Sequence, residues 1–497
     1  MRSLLENKTT TKTTGMNVIF ASSEAAPFAK TGGLADVAML LPAAIKRRGC
    51  EVSLFLPYYA QVKASGVKPV RVPVSIHLPS GKRELTAELY MTEGFGGVNV
   101  YFIKRDEFFD RAFLYGTPKG DYPDNLERFS FFSRAVIEAI KAVGLMPDVI
   151  HCNDWQTGLI PAYLKDVYWN DPVFFNAAIV FTIHNIAYQG LFDKRLYGAT
   201  GLSTSLFTAD GLEFWDKISL LKAGIVYSDM ITTVSQTYAK EIQTLELGGG
   251  LDGLLRARRG GLFGVLNGVD YGEWNPETDG LIPAAYSSTD MSGKAKCKMA
   301  LMKEFGVKLK TPAPLVGMVS RLAEQKGFDI LLEALPEIMK NDIGLVILGE
   351  GETRYQEALI EAAKIHPGRV SVKIAFSNAL AHLITAGSDV FLMPSRYEPC
   401  GLNQMFALRY GTPPVVRATG GLQDTVSDAA DGSATGFKFR GYSASALVGK
   451  LKEAEAGYKD KKAWALLQKN GMKKDFSWDV SARRYIELYG AALKKSA

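Results

Sequence analysis

From Met16 almost to its end, the chain repeats one succession: a short apolar run, a polar loop, an amphipathic stretch. Apolar runs bounded by Gly, Pro or polar residues have the composition of strands buried on both faces, as the strands of a parallel sheet are. In the first half they fall at 18–21, 52–56, 149–151, 178–183, 230–234 and 262–266. In the second half they fall at 315–319, 345–348, 372–374, 390–393 and 414–416. Helical periodicity fills the intervals, for example over 330–339 and 355–365. This alternation predicts an α/β protein whose parallel sheets carry helices on both faces.

A chain of 497 residues exceeds one ordinary core, and so many strands exceed one sheet of usual size. A turn-rich stretch at 266–276, LNGVDYGEWNP, marks the break. The expected organisation is an N-terminal extension over 1–15, a first doubly wound domain over 16–264 and a second over 265–478. Residues 480–493 read as an amphipathic helix, so that about 479–497 is expected to pack back on the first domain. Pro42 predicts a short turn after the first strand and then a helix starting near that proline.

The extension, MRSLLENKTTTKTTG, lacks the apolar core of a secretory signal. The formal charge of +6, from 58 basic and 52 acidic residues, is spread along the chain without a basic run. Nucleic acid and membrane are therefore not expected as partners. The four cysteines, Cys50, Cys152, Cys297 and Cys400, form no CxxC or zinc spacing, which points to a reducing compartment; the short extension favours a bacterial cytoplasm over a plastid as the expected setting.

In open parallel sheets, ligands bind beyond the carboxyl ends of the strands. Those ends here carry Asn153 with Asp154, His184 with Asn185, Asn267, Ser320 with Arg321, and Ser395 through Glu398. After the first strand comes Lys30-Thr31-Gly32-Gly33, where glycines admit backbone N–H groups to a phosphate and Lys30 adds a charge. A second glycine pair, Thr419-Gly420-Gly421, follows the last core strand and opens a helix. Taken alone, each pair is better explained by a tight turn. Arg321 and Lys326, five residues apart on one strand-end loop, suit a diphosphate leaving group. Glu398 lies between an aromatic residue and a proline, ahead of Cys400, Gly401 and Leu402. It suits sugar hydroxyls or positive charge at an anomeric carbon. No two aspartates stand two residues apart, so a DxD metal clamp is absent and no metal is expected.

Together these strings resemble the bacterial glycogen synthase and plant starch synthase family, glycosyltransferase family 5. The resemblance is carried by SSEAAPFAKTGGLADV, HCNDWQTGLIPAYL, FTIHNIAYQG, LNGVDYGEWNP, SRLAEQKGFDIL, PSRYEPCGLNQMFAL and GTPPVVRATGGLQDTV, and covers nearly the whole chain. It implies a GT-B fold: two Rossmann-like domains with a deep cleft, transferring glucose from ADP-glucose to glycogen or a malto-oligosaccharide with retention of configuration. UDP-glucose as donor, or a GT-B-type nucleotide-sugar epimerase, are the alternative expectations.

By motif, the resemblance makes Lys30 and Gly33 diphosphate contacts and Arg321 and Lys326 the cations on the departing diphosphate. Glu398 with Cys400, Gly401 and Leu402 would grip the glucose, and His184 would stand beside the anomeric centre. Asp154 and Asn267 match positions lining the sugar and phosphate site, and Thr419, Gly420 and Gly421 complete the donor side. Phe376 falls where the family commonly has tyrosine against the adenine ring, and Asn403 where threonine is usual; both departures bear on nucleotide preference. Phe406 stands where many related retaining transferases carry a second glutamate. Among tyrosines, Tyr115 and Tyr122 are candidates for an acceptor groove, since sugar rings stack on aromatics.

Overall fold

The computed structural model describes residues 15–80, 83–310 and 312–496. All but the last residue of the expected N-terminal extension lies outside the described residues. Contacts divide the chain into two units. The first holds the chain up to Val234, Ala239–Gly268 and everything from Trp478 onward; the second holds Ser235–Tyr238 and Val269–Ser477.

The first unit is built on a nine-stranded sheet. Its strands in chain order are β1 Asn17–Ala21, β2 Glu51–Pro57, β3 Val70–Ser80, β4 Arg83–Glu93 and β5 Asn99–Lys104. They continue as β6 Val149–Asn153, β7 Ala178–Ile183, β8 Met230–Thr233 and β9 Leu262–Gly264. The spatial order is β9-β8-β7-β6-β1-β2-β5-β4-β3. All pairs are parallel except β3–β4 and β4–β5. The antiparallel edge was not among the expected strands. Its sequence, VRVPVSIHLPS, alternates with a period of two, burying Ile76 and Leu78 while Ser75 and His77 are exposed. That is the signature of a strand with one wet face, unlike the continuous runs of the doubly covered strands. Pro73 sits where the register shifts between Arg71 and Ser75, a place where a missing N–H breaks no ladder.

The helix Gly33–Arg47 runs unbroken through Pro42, contrary to the expectation that a helix would begin there. An interior proline costs about 3 kcal/mol. Val37, Met39, Leu41, Ala43, Ala44 and Ile45 are all buried on this helix. At roughly 1.5–3 kcal/mol for each large aliphatic side chain, their burial outweighs the proline. The C-terminal helix Trp478–Ser496 belongs to the first unit. Trp478, Ala482, Tyr485, Tyr489 and Ala492 are buried at helical spacing. Tyr489 Oη meets His151 Nδ1 at 2.7 Å, and Ser481 Oγ donates to Leu266 O at 2.7 Å.

The second unit holds six parallel strands: β10 Leu315–Val319, β11 Gly344–Leu348, β12 Val370–Lys373, β13 Val390–Met393, β14 Pro414–Arg417 and β15 Phe437–Phe439. Their order is β12-β11-β10-β13-β14-β15. Alternate residues feed two separate cores. Val316, Met318, Leu345 and Ile347 pack with the helices on one face; Leu315, Val346, Leu348 and Phe391 pack on the other. Both sheets are doubly wound, and each has one switch point at which the winding passes from one side of its first strand to the other. That point lies between β1 and β6 in the first sheet and between β10 and β13 in the second.

Candidate active site

A reversal of strand order leaves a crevice, because the loops on its two sides are drawn apart. In the second unit the loops leaving β10 and β13 flank that point. Lys326 comes from the first and Glu398 from the second, and Lys326 Nζ lies 2.6 Å from Glu398 Oε2. Ser395 Oγ donates to the same carboxylate oxygen at 3.1 Å. Glu398 is only 5% exposed. Burying this carboxylate is tolerable because a cation and a hydroxyl meet it. The two loops are also tied through backbone, with Arg396 N donating to Gln325 O at 2.8 Å and Gln325 Nε2 to Tyr397 O at 3.3 Å. Arg321 stands exposed at the end of β10.

The second glycine pair fits against this cluster. Gly420 has φ +42°, and a Cβ there would lie 1.9 Å from Glu398 O; one on Gly421 would lie 2.0 Å from Cys400 O. Gly421 N donates to Glu398 O at 3.2 Å. These glycines therefore let the helix Gly420–Thr425 abut the Glu398 loop. Thr419 beside them is buried. Asn403 Nδ2 donates to Val319 O at 2.7 Å, fastening the helix Asn403–Arg409 to the end of β10, while Cys400 is buried and Gly401 has φ +70°. Phe406 stacks on Trp274 with ring centroids 4.0 Å apart, and the indole also stacks on His382 at 3.8 Å. The phenyl ring is thus a packing element at this position. Phe376, in the loop after β12, is 89% exposed.

In the first unit the polar residues gather at the ends of β1, β6 and β7. Asn153 Nδ2 donates to Ala21 O at 3.0 Å, so its Oδ1 faces His184 Nε2 at 2.9 Å. By this network Nε2 carries the proton and Nδ1 is an acceptor. That Nδ1 is buried without a partner among the described residues. Burial holds the His184 pKa down to about 3, so the ring is neutral. Asp154 occupies the left-handed region at φ +56° and accepts from His184 N at 2.7 Å. Its carboxyl is pushed up to about 7 by burial, against the lowering effect of the His184 and Asn185 N–H groups.

The residue that sequence reasoning missed is Glu24. Its carboxylate is 4% exposed and accepts from Thr31 N at 2.6 Å, Thr31 Oγ1 at 2.6 Å, Gly32 N at 3.2 Å and Tyr115 Oη at 2.7 Å. It closes the turn that opens the helix Gly33–Arg47 and takes up N–H groups expected to be free for phosphate. The only hint in the sequence was an acidic residue three positions after a strand end. Lys30 Nζ lies 2.7 Å from Asp36 Oδ1, and a Cβ on Gly32 or Gly33 would meet nothing within 4 Å. Tyr115 is drawn into the Glu24 network. Tyr122 lies under the guanidinium groups of Arg111 and Arg128, at 4.8 and 5.1 Å. Asn267 is half-buried in the loop after β9. Among the described residues no group of His, Cys, Asp and Glu is placed to hold a metal, and no helix is long and apolar enough to cross a membrane. All four cysteines are buried and none forms a disulfide.

Two doubly wound units, each with polar side chains massed at its switch point, are the construction of a GT-B glycosyltransferase. A starch synthase catalytic domain model matches residues 17–257, and a glycosyl transferases group 1 model matches 303–470. Glycogen synthase from Koribacter versatilis is 47% identical over 96% of this chain and 98% of its own length. The Geotalea daltonii glycogen synthase is 48% identical over 97% of this chain and 99% of its own. The solved catalytic domain of starch synthase IV from Arabidopsis thaliana, bound to ADP and acarbose, superposes with a TM-score of 0.87. It is 34% identical and covers 97% of this chain and 100% of its own. The chain belongs to the glycogen synthase family.

Proposed function

We propose that this glycosyltransferase adds glucose from ADP-glucose to the non-reducing end of an α-1,4-glucan such as glycogen, with retention of configuration and release of ADP. The observation that carries the reading is the Lys326–Glu398–Ser395 cluster at the switch point of the second unit. In the reaction the bond from the glucose C1 to the β-phosphate oxygen breaks and a bond from C1 to the acceptor 4-oxygen forms. The acceptor proton passes to the departing diphosphate on the same face. Arg321 and Lys326 neutralise the charge that grows on that diphosphate. Glu398 accepts from glucose hydroxyls, and the backbone at Cys400, Gly401 and Leu402 adds donors. With the Lys326 and Arg321 cations on the phosphates, no metal is required.

From the first unit, Lys30 and the open backbone at Gly33 serve the diphosphate. Gly32 is extended at φ −155° and a Cβ at either glycine would meet nothing, so neither backbone geometry nor packing calls for glycine there. Close approach by a ligand does. His184 is a neutral imidazole with an acceptor nitrogen, suited to a site beside an anomeric carbon, and Asp154 positions it through its main chain. Such chemistry belongs in a cytoplasm that makes nucleotide sugars.

The test is to supply ADP-glucose and UDP-glucose separately with glycogen and to measure chain extension. Extension from ADP-glucose is expected, and preference for UDP-glucose would overturn the nucleotide assignment. Product formed without any acceptor would favour the epimerase reading. Lys326→Ala and Glu398→Ala should each lower turnover by about 10²- to 10³-fold. Near-normal turnover in either would sink the site assignment.

A further inference from the structure

The first unit carries a small antiparallel sheet apart from its main one, formed by Leu191–Asp193, Glu213–Phe214 and Lys217–Ser219. The second and third of these strands pair as a hairpin whose two-residue turn is Trp215-Asp216. Both turn residues have positive φ, +52° and +63°. A turn with two left-handed residues ordinarily takes Asn-Gly or Asp-Gly, since a bulky side chain there is strained. The tryptophan is also 77% exposed. Neither turn chemistry nor burial accounts for an indole at this position. The ring stands edge-on to Phe214, with centroids 6.3 Å apart, which braces it from one side.

Beside the indole runs a groove of about 520 Å³, lined by Leu191, Phe192 and a set of charged side chains. Four of its five charged side chains pair with one another, and Lys217 adds a single positive charge. Asp193 holds Arg195, with Arg195 Nε at 2.9 Å, and Lys194 Nζ lies 2.9 Å from Asp216 Oδ2. The groove thus presents many hydrogen-bonding groups and little net field. A phosphate or a charged peptide would gain little there. A neutral polyhydroxylated ligand with an apolar ring face matches both the indole and the polar rim.

We propose that Trp215 and this groove bind a segment of the α-glucan acceptor, holding the polymer on the first unit by stacking of a pyranose ring on the indole. The proposal rests on the glucan-extending function proposed above. A grip of this kind acts on the bound polymer and not on the donor, so it enters the KM for glycogen alone.

The test compares the full-length wild type with Trp215→Ala by electrophoresis in native gels containing glycogen, and by kinetics with ADP-glucose and glycogen. Trp215→Ala should lose most of its retardation, and its KM for glycogen should rise about tenfold. Its turnover at saturating glycogen and its KM for ADP-glucose should stay unchanged. Trp215→Tyr, which keeps an aromatic face at the turn, should recover most of the retardation and of the glycogen KM. Unchanged retardation and glycogen KM in Trp215→Ala would overturn the proposal. So would a parallel loss of thermal stability and ADP-glucose affinity, which would make the indole a structural residue. A wild type that adds no glucose to glycogen would instead refute the proposed function, and the gels would still report whether the groove takes glucan.

Discussion

His151 and His184 are held neutral by burial, with pKa values near 3, whereas histidine in an unfolded chain titrates near 6.5. Their contribution to stability is complete above about pH 6.5 and is lost as the pH falls toward 3. Asp154 works in the opposite sense. Its pKa near 7 exceeds the ordinary carboxylate value, so its contribution is present at low pH and lost as the pH rises toward 7. Between about pH 4.5 and 6 the unfolded chain therefore holds two more protons on the histidines and one fewer on the aspartate. The net of one proton makes stability from these three groups rise with pH by about 1.4 kcal/mol per unit. Asp154→Asn removes the opposing proton, so the slope of urea midpoint stability against pH should steepen by a further ~1.4 kcal/mol per unit. An unchanged slope would show that Asp154 is ionised in the native state. Glu24 offers a second test at this scale. Glu24→Ala leaves two N–H groups and two hydroxyls without their acceptor, and should cost about 2–4 kcal/mol by urea unfolding. Glu24→Gln, which keeps an acceptor oxygen, should cost less.

Among the elements, the two glycine pairs look alike in sequence and differ in their neighbours. Gly420→Ala and Gly421→Ala would drive a methyl into the carbonyls of Glu398 and Cys400. Each should cost more than about 2 kcal/mol and disturb the Glu398 loop as well. Gly32→Ala and Gly33→Ala meet no atom of the chain, so melting should move little while the KM for ADP-glucose rises. Equal thermal losses at both pairs would contradict this division. The contrast also shows how far residues alone can lead. Buried strands such as β7 and β13 are legible because both faces are apolar, and the strand-end residues follow from their position. The β3–β4 edge is not, because a half-wet strand has only a period-two alternation. The helix through Pro42 is hidden because local propensity argues against it, and only tertiary packing overrides that propensity. Glu24 and the Phe406–Trp274 stack depend on partners distant in sequence. No local pattern encodes such partners.

At the scale of the whole molecule, the first unit is assembled from pieces on both sides of the second. Its last piece, the helix Trp478–Ser496, buries Tyr485 and Tyr489 and supplies the hydroxyl that meets His151. Truncation before Trp478 should therefore open the first unit to protease while the second unit resists. Equal resistance of the two would show that the helix is dispensable. The milder Tyr489→Phe leaves the ring and removes one buried hydrogen bond, and should lower stability by about 1–2 kcal/mol in thermal unfolding.

The same arrangement bears on how the chain is made. A ribosome delivers β1 through β9 long before the helix that completes their unit. At roughly 5–20 residues per second, the intervening stretch takes about 10 to 40 s to emerge. During that interval the second unit, contiguous but for Ser235–Tyr238, can fold while the first waits with its core partly uncovered. The N-terminal half of the polypeptide is then the last to mature, and the nascent chain has its longest need of chaperone protection at the end that was born first.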